Sequence, residues 1–415
     1  MKNSKVFANT FMLYIMSFAK LILPLVTMPY LTRVLSEESY GLMSYVRSYM
    51  TYMQLLIDFG FILSSVKDIV KAGDDKNRIG AIAGNTFAAK GILCFGASVI
   101  MAVICLLVDA LSVNWVYVLL SFIAVATTIF LADFLFRGLE KMHYITITFL
   151  IAKSISTILT LCLVRGDSTM LWIPILEILA NVISVFISIV LLKKLKIRIR
   201  VSCLKEIFIM IKDSFNYFLS SIATTAFSAL NTLLVGIYFT DLALIAHWSL
   251  CLTIITAIQG LYTPICNGVY PHMIKEKSLN FIHKVLILMM PIVTIGCVFS
   301  FVVAEQALLI VGGEKYVDAA PIFRCMIPIL FFSFPAQLYG WPTLGAIEKV
   351  KQTTTSTIIT AIIQIIGLLI LMLIGQLNLI SMAILRCFTE ACLMIIRMGL
   401  VYKNKKLYTK TEASL

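Results

Sequence analysis

The chain reads as an all-α integral membrane protein, with about twelve transmembrane helices in two six-helix bundles related by a pseudo-two-fold axis normal to the membrane. Hydrophobic residues make up 60% of its 415 positions and charged residues 13%, with a mean hydropathy of +0.98. That is more apolar surface than one soluble core can hide. Apolar windows of about 20 residues, enough to cross roughly 30 Å of hydrocarbon at 1.5 Å per residue, recur along the whole chain. No ten-residue alternation suggests a barrel, and irregular backbone cannot face lipid unpaired, so each window should be a helix.

The first window, 6–31, has no small-residue cleavage site behind it and reads as a retained helix rather than a removed signal peptide. It carries Thr10, Ser17, Lys20 and Thr27, with Pro24 on the same face. Span two, 42–66, places Ser44, Arg47, Thr51, Gln54 and Asp58 at steps of three and four, which stacks them on one helical stripe. Arg47 and Asp58 lie about 16 Å apart along it, too far to pair directly. Span three (80–108) offers Thr86 and Lys90, and span four (115–136) ends at Asp133, which can pair locally with Arg137. Span five (144–164) has Lys153 with Thr157 and Thr160; span six (170–192) has Glu177 with Asn181, Ser184 and Ser188.

A basic link follows, "LLKKLKIRIRV" at 191–201, and Leu204, Ile207, Phe208 and Ile211 then recur at helical spacing. This predicts an amphipathic helix on the inner membrane surface. Span seven (215–238) is polar without charge through Ser221, Thr225, Ser228 and Asn231. Spans eight and nine, 242–269 and 284–304, are largely apolar. Span ten (319–341) carries Arg324, and Pro321, Pro328, Pro335 and Pro342 recur every seven residues and should bend it. Pro328 and Pro335 are the candidate hinge positions, the alternative being a static kink. Span eleven covers 354–374. Span twelve (379–402) holds Arg386 and Glu390 at i,i+4, able to pair, and Arg397, which with Lys90 is near enough to the inner surface to snorkel. The resulting organisation is a bundle over 1–192, a basic cytoplasmic linker over 193–214, a second bundle over 215–402 and a tail over 403–415.

Loop charge sets the orientation. With the N-terminus inside, only Arg33, Arg165 and Lys315 of the 34 Lys and Arg fall in outside loops, and those loops are net negative. Both termini are therefore expected in the cytoplasm, with the protein in the cytoplasmic (inner) membrane. The net charge of +13 does not indicate nucleic acid, since topology accounts for the basic loops and tail, and membrane lipid headgroups are the natural contact.

Enzyme chemistry finds no support. The ten cysteines form no CxxC pair, the four histidines show no metal-ligand spacing, and "DFG" at 58–60 lacks a Gly-rich loop or an HRD segment. No metal and no cofactor are proposed. What the chain does offer is charge at membrane depth, which costs about 2.5–3.5 kcal/mol per residue and defaults to a functional reading. Lys20, Arg47, Lys90, Lys153, Arg324 and Arg386 are the candidate substrate-binding residues. Asp58, Glu177 and Glu390 are candidates for ion coupling or for local networks. A cationic interior implies an anionic substrate.

Residues 23–69, "LPLVTMPYLTRVLSEESYGLMSYVRSYMTYMQLLIDFGFILSSVKDI", resemble the N-terminal signature of bacterial polysaccharide-repeat-unit (O-antigen and capsule) flippases in Pro29, Leu31, Arg33, Leu35, Tyr40-Gly41, Tyr52 and Asp58-Phe59-Gly60. These flippases belong to the multidrug, oligosaccharidyl-lipid and polysaccharide exporter superfamily. The resemblance implies translocation of an undecaprenyl-diphosphate-linked oligosaccharide from inner to outer leaflet, by alternating access through a cationic cavity. It implies membrane lipids and the polysaccharide polymerase and chain-length machinery as partners. Lys20 and Arg47 lie on positions where that family places cavity-lining groups. Glu37 and Glu38 depart from the Gly or Pro frequent at that turn. A cation-coupled antiporter of the same superfamily, or a membrane glycan-assembly enzyme or scaffold, are the alternatives; such an antiporter would carry an acid in the first span, where Lys20 stands.

Overall fold

The computed structural model describes residues 2–239 and 241–408, and among them all regular structure is helical. Residues 409–415 of the tail, and the side chains of Thr10, Thr225, Ser228 and Asn231, lie outside the described residues. The chain divides into two compact units, Met1–Ile222 with Gly236–Leu242, and Ala223–Val235 with Ala243–Leu415.

The first unit contains α1 (Lys2–Val34), α2 (Glu37–Asp58), α3 (Phe61–Ala72), α4 (Lys76–Leu107), the short α5 (Asp109–Val113), α6 (Trp115–Thr127), α7 (Asp133–Gly138), α8 (Met142–Leu163), α9 (Trp172–Lys194) and the start of α10 (Leu204–Tyr238). The boundaries follow local chemistry. The Ser36 hydroxyl accepts the amide of Ser39, and Glu37 and Glu38 in the first turn of α2 complement its dipole. At the other end, Phe59 (φ 40°) and Gly60 (φ 78°) enter the left-handed region and separate α2 from α3. Gly60 is required twice, because a Cβ there would also lie 2.6 Å from that of Tyr217. Asp75 caps α4 through the amides of Asn77 and Arg78.

Among the described residues, two apolar clusters pack within this unit. One joins Ile69, Ile79, Ala83, Phe134, Leu135, Phe136 and Ile145; the other joins Phe59, Phe61, Ala89, Ile207 and Phe218. The basic link is clamped as extended chain along α4. The Arg200 amide donates to the Gly80 carbonyl at 3.1 Å, and that of Ser202 to Asn85 Oδ1 at 2.8 Å. The amphipathic stretch expected as a separate surface helix is instead the continuous beginning of α10. Ile207 is buried in the second cluster, while Leu204 and Phe208 remain exposed.

The second unit takes in the rest of α10, α11 (Leu242–Gly260), α12 (Tyr262–Glu276), α13 (Leu279–Val302), α14 (Ala304–Gly312), α15 (Ala320–Met326), α16 (Pro328–Leu338), α17 (Val350–Leu373) and α18 (Leu379–Lys403). Ser278 caps α13, and Asn378 with Ser381 forms a capping box on α18. The stretch 314–347 bends by 44° where α15 gives way to Pro328. A further irregularity follows at Gly340, whose ψ of −113° leaves the helical region within a π-helical turn, Tyr339–Leu344.

Helices occupy all twelve windows read from the sequence. Nine of them among the described residues, or ten counting the bent pair, are long and apolar enough to cross a membrane. Of the two remaining windows, α2–α3 is less apolar, and α10 includes positions that lie outside the described residues. In α2 the polar stripe lowers the mean hydropathy, and the Phe59-Gly60 break divides the window. Large apolar side chains such as Phe95 and Ile287, each 74% exposed, are suited to hydrocarbon rather than water.

Candidate functional site: a basic cavity in the first unit

A cavity of about 320 Å³ opens among α1, α2, α6, α8 and α9. Its charged lining comprises Lys20 from α1, Arg47 from α2, Lys153 from α8 and Glu177 from α9. Hydroxyls of Thr27, Tyr117, Ser121, Ser156, Thr157 and Thr160 share the wall with apolar groups including Phe149 and Pro174. Pro24 also lines it, and its missing N–H denies the Lys20 carbonyl its helical donor.

The three bases differ in what they touch. Lys20 Nζ lies 5.3 Å from the centre of the Phe149 ring, a cation–π contact on the cavity wall. Lys153 Nζ donates to Glu177 Oε1 at 2.8 Å. Among the described residues no carboxylate lies within salt-bridge distance of Lys20 or Arg47. With all four groups ionised the lining carries a net charge of +2, surrounded by low-dielectric material that strengthens attraction for an anion. Above the cavity, the Tyr30 hydroxyl donates to the Val164 carbonyl at 2.7 Å and the Ser36 amide to Asp167 at 2.9 Å, tying the α1–α2 turn to the α8–α9 turn.

The remaining candidates lie elsewhere. Lys90 neither snorkels nor lines this cavity: its Nζ donates to Asp58 Oδ1 at 2.7 Å and sits 5.9 Å from the Phe134 ring centre. The Gln54 amide donates to the other Asp58 oxygen at 2.7 Å and accepts from Thr128. The α2 stripe is thereby divided, Arg47 facing the cavity and Gln54 and Asp58 facing a packed network. Asp133 and Arg137 form no salt bridge among the described residues.

In the second unit, Arg324 is paired with Glu305 at 2.9 Å beside Phe301. Arg386 and Glu390 form a buried pair at 2.8 Å, next to a Thr389–Gln364 hydrogen bond of 2.6 Å. Arg397 does not snorkel either. Its guanidinium donates to the Ala336 carbonyl at 2.7 Å and to the hydroxyls of Ser356 and Thr357, one turn before the irregular Gly340. Pro328 opens α16 at the bend and Pro335 lies inside α16.

Sequence reading missed Tyr117, Ser121 and Phe149 as lining residues, since nothing in local spacing distinguishes them from packing residues. It also missed the Lys153–Glu177 pair. A signal existed, for the two residues are equidistant from Arg165 in the turn joining antiparallel α8 and α9.

Comparisons with known proteins bear on what such a cavity does. Residues 6–277 match the polysaccharide biosynthesis protein family. A Shigella dysenteriae protein named for O-antigen transport is 28% identical over 284 residues, covering 67% of this chain and 70% of that protein. An Escherichia coli K12 protein of the same name is 25% identical over 412 residues, covering 96% and 97%. Among solved structures, the lipid II flippase MurJ in an inward closed conformation aligns over 94% of this chain and 87% of its own, with a TM-score of 0.74 at 15% identity. An inward-facing multidrug resistance MATE transporter of the MOP superfamily aligns over 95% and 100%, with a TM-score of 0.71 at 13% identity.

Proposed function

The chain belongs to the polysaccharide biosynthesis protein family, and from that premise and the basic cavity we propose that it moves a lipid-linked oligosaccharide across the cytoplasmic membrane. The substrate class is an undecaprenyl-diphosphate-linked repeat unit, passed from inner to outer leaflet for a surface polysaccharide. The observation that carries this reading is the convergence of Lys20, Arg47 and Lys153 on one cavity with a single carboxylate among them.

The headgroup would be held by charge-assisted hydrogen bonds from these bases and by the wall hydroxyls, while the lipid tail stays in hydrocarbon. Transfer outward is favoured by the membrane potential, which contributes about 2.3 kcal/mol per 100 mV for each negative charge moved. Both termini would face the cytoplasm, and the bend at Pro328 and the irregularity at Gly340, with Pro335 in the helix between them, would serve alternating access. No bond is made or broken, so this is transport rather than catalysis. Polymerase and chain-length proteins would receive the product.

Proteoliposomes with a defined undecaprenyl-diphosphate-linked oligosaccharide test the reading. Lys20→Ala and Arg47→Ala should each lower inner-to-outer transfer about tenfold or more, the effect of losing a charge-assisted hydrogen bond in a dry site. Unchanged transfer by folded variants would overturn it.

A further inference from the structure

The geometry points to Glu177 as a built-in stand-in for one substrate phosphate: it occupies Lys153 while the cavity is empty, and it reclaims Lys153 when the headgroup leaves. This inference rests on the proposed function and assigns within it a release role to one residue.

Among the described residues Lys153 is the one base of the cavity with a carboxylate on it, at 2.8 Å, and both partners are accessible rather than packed away, with side-chain exposures of 34% and 51%. Glu177 itself lines the cavity. Arg386–Glu390 is shielded, at 8% and 6%, and Arg324–Glu305, though as exposed at 32% and 51%, does not line this cavity, so it is the place on the cavity wall that sets Lys153–Glu177 apart. Lys153–Glu177 is instead open on the side from which an anion arrives. A phosphodiester oxygen and a carboxylate oxygen make the same hydrogen bond to an ammonium, so one can replace the other at little cost in geometry.

The charges then sort ligands. A headgroup with a single negative charge is satisfied by Lys20 and Arg47 and leaves the Lys153–Glu177 pair intact. A diphosphate diester carries two, and its second phosphate reaches full pairing only by taking Lys153 from Glu177. Returning Glu177 to Lys153 lowers the free energy of the emptied site, which speeds departure of a headgroup that three unopposed bases would retain.

The test uses the whole protein in nanodiscs and proteoliposomes, with a polyprenyl-diphosphate-linked sugar and a polyprenyl-monophosphate-linked sugar as probes. Glu177→Gln keeps the side-chain shape and removes the competing charge. It should tighten binding of the diphosphate probe about fivefold, change binding of the monophosphate probe less, and slow multiple-turnover transfer by a similar factor. In a Lys153→Gln background the same substitution should leave diphosphate affinity unchanged, because Glu177 acts through Lys153. The doubly neutral Lys153→Gln/Glu177→Gln protein also serves if Glu177→Gln alone folds poorly, since it buries no lone ammonium and should bind like Lys153→Gln. If Glu177→Gln weakens both probes equally, or tightens the diphosphate probe equally without Lys153, the stand-in role is wrong. Should Arg47→Ala leave diphosphate binding intact, it is the underlying substrate reading that fails.

Discussion

Lys90 shows how a charge can sit inside a helical unit without serving the cavity. Its ammonium is almost covered, and Asp58 supplies the compensating charge at 2.7 Å while Gln54 holds the second Asp58 oxygen. Asp58→Asn therefore strands a buried ammonium. Because Asp58 is itself 40% exposed, the cost should be about 1–3 kcal/mol rather than the full penalty of a sealed pair. Thermal unfolding in detergent reads this out, and Lys90→Met in the same chain should recover most of the loss; equal destabilisation by the double variant would contradict it. The same residues mark how far sequence reaches. Helical period places Arg47, Gln54 and Asp58 on one stripe because that relation is local. Which neighbour each meets depends on α4, α6 and α8 arriving from elsewhere in the chain, so spacing carried no information that Arg47 would face Lys20 and Lys153 while Asp58 faced Lys90.

At the level of elements, the basic link and the bent stretch of the second unit each rest on glycine. A Cβ on Gly80 would come within 2.0 Å of the Arg198 carbonyl, and one on Gly84 within 2.1 Å of that of Arg200. Backbone cannot yield as a side-chain tip can. Gly80→Ala or Gly84→Ala should release 197–202 from α4, seen as new protease cleavage or faster hydrogen exchange there, whereas Gly91→Ala, with open space at its Cβ, should not. In the second unit, Arg397→Ala removes the guanidinium from the Ala336 carbonyl and from two hydroxyls, and should destabilise by about 2–4 kcal/mol. Arg397→Lys should recover only part, since one ammonium cannot span those three acceptors in the guanidinium's planar geometry. A melting temperature restored to that of the parent would contradict this. The prolines made a bend in span ten legible, but its outcome was not: the chain turns at Pro328, leaves helical geometry at Gly340, and recruits Arg397 from α18. The amphipathic stretch at 204–211 was legible as helix, yet its fusion into α10 was not, because Asp213 and Ser214, residue types that favour a helix start, stand at the expected boundary and the helix runs through them.

Across the whole molecule, hydropathy was the strongest signal, since bilayer thickness dictates window length and lipid dictates helix. It is weakest where polar residues interrupt the window, in α2–α3, and α2 supplies Arg47 to the cavity. The chain belongs to the polysaccharide biosynthesis protein family, and it shares its fold with MurJ and a MATE transporter. The central claim is that the headgroup of a lipid-linked sugar occupies that cavity. Thr157 lines it next to Lys153 and Ser156. Thr157→Cys, treated with a charged methanethiosulfonate and read by mass spectrometry at that position, should be labelled in the empty protein. Labelling should fall in proportion to occupancy as a polyprenyl-diphosphate-linked sugar is added. Labelling that stays constant while the lipid demonstrably binds would place the substrate elsewhere and contradict the account.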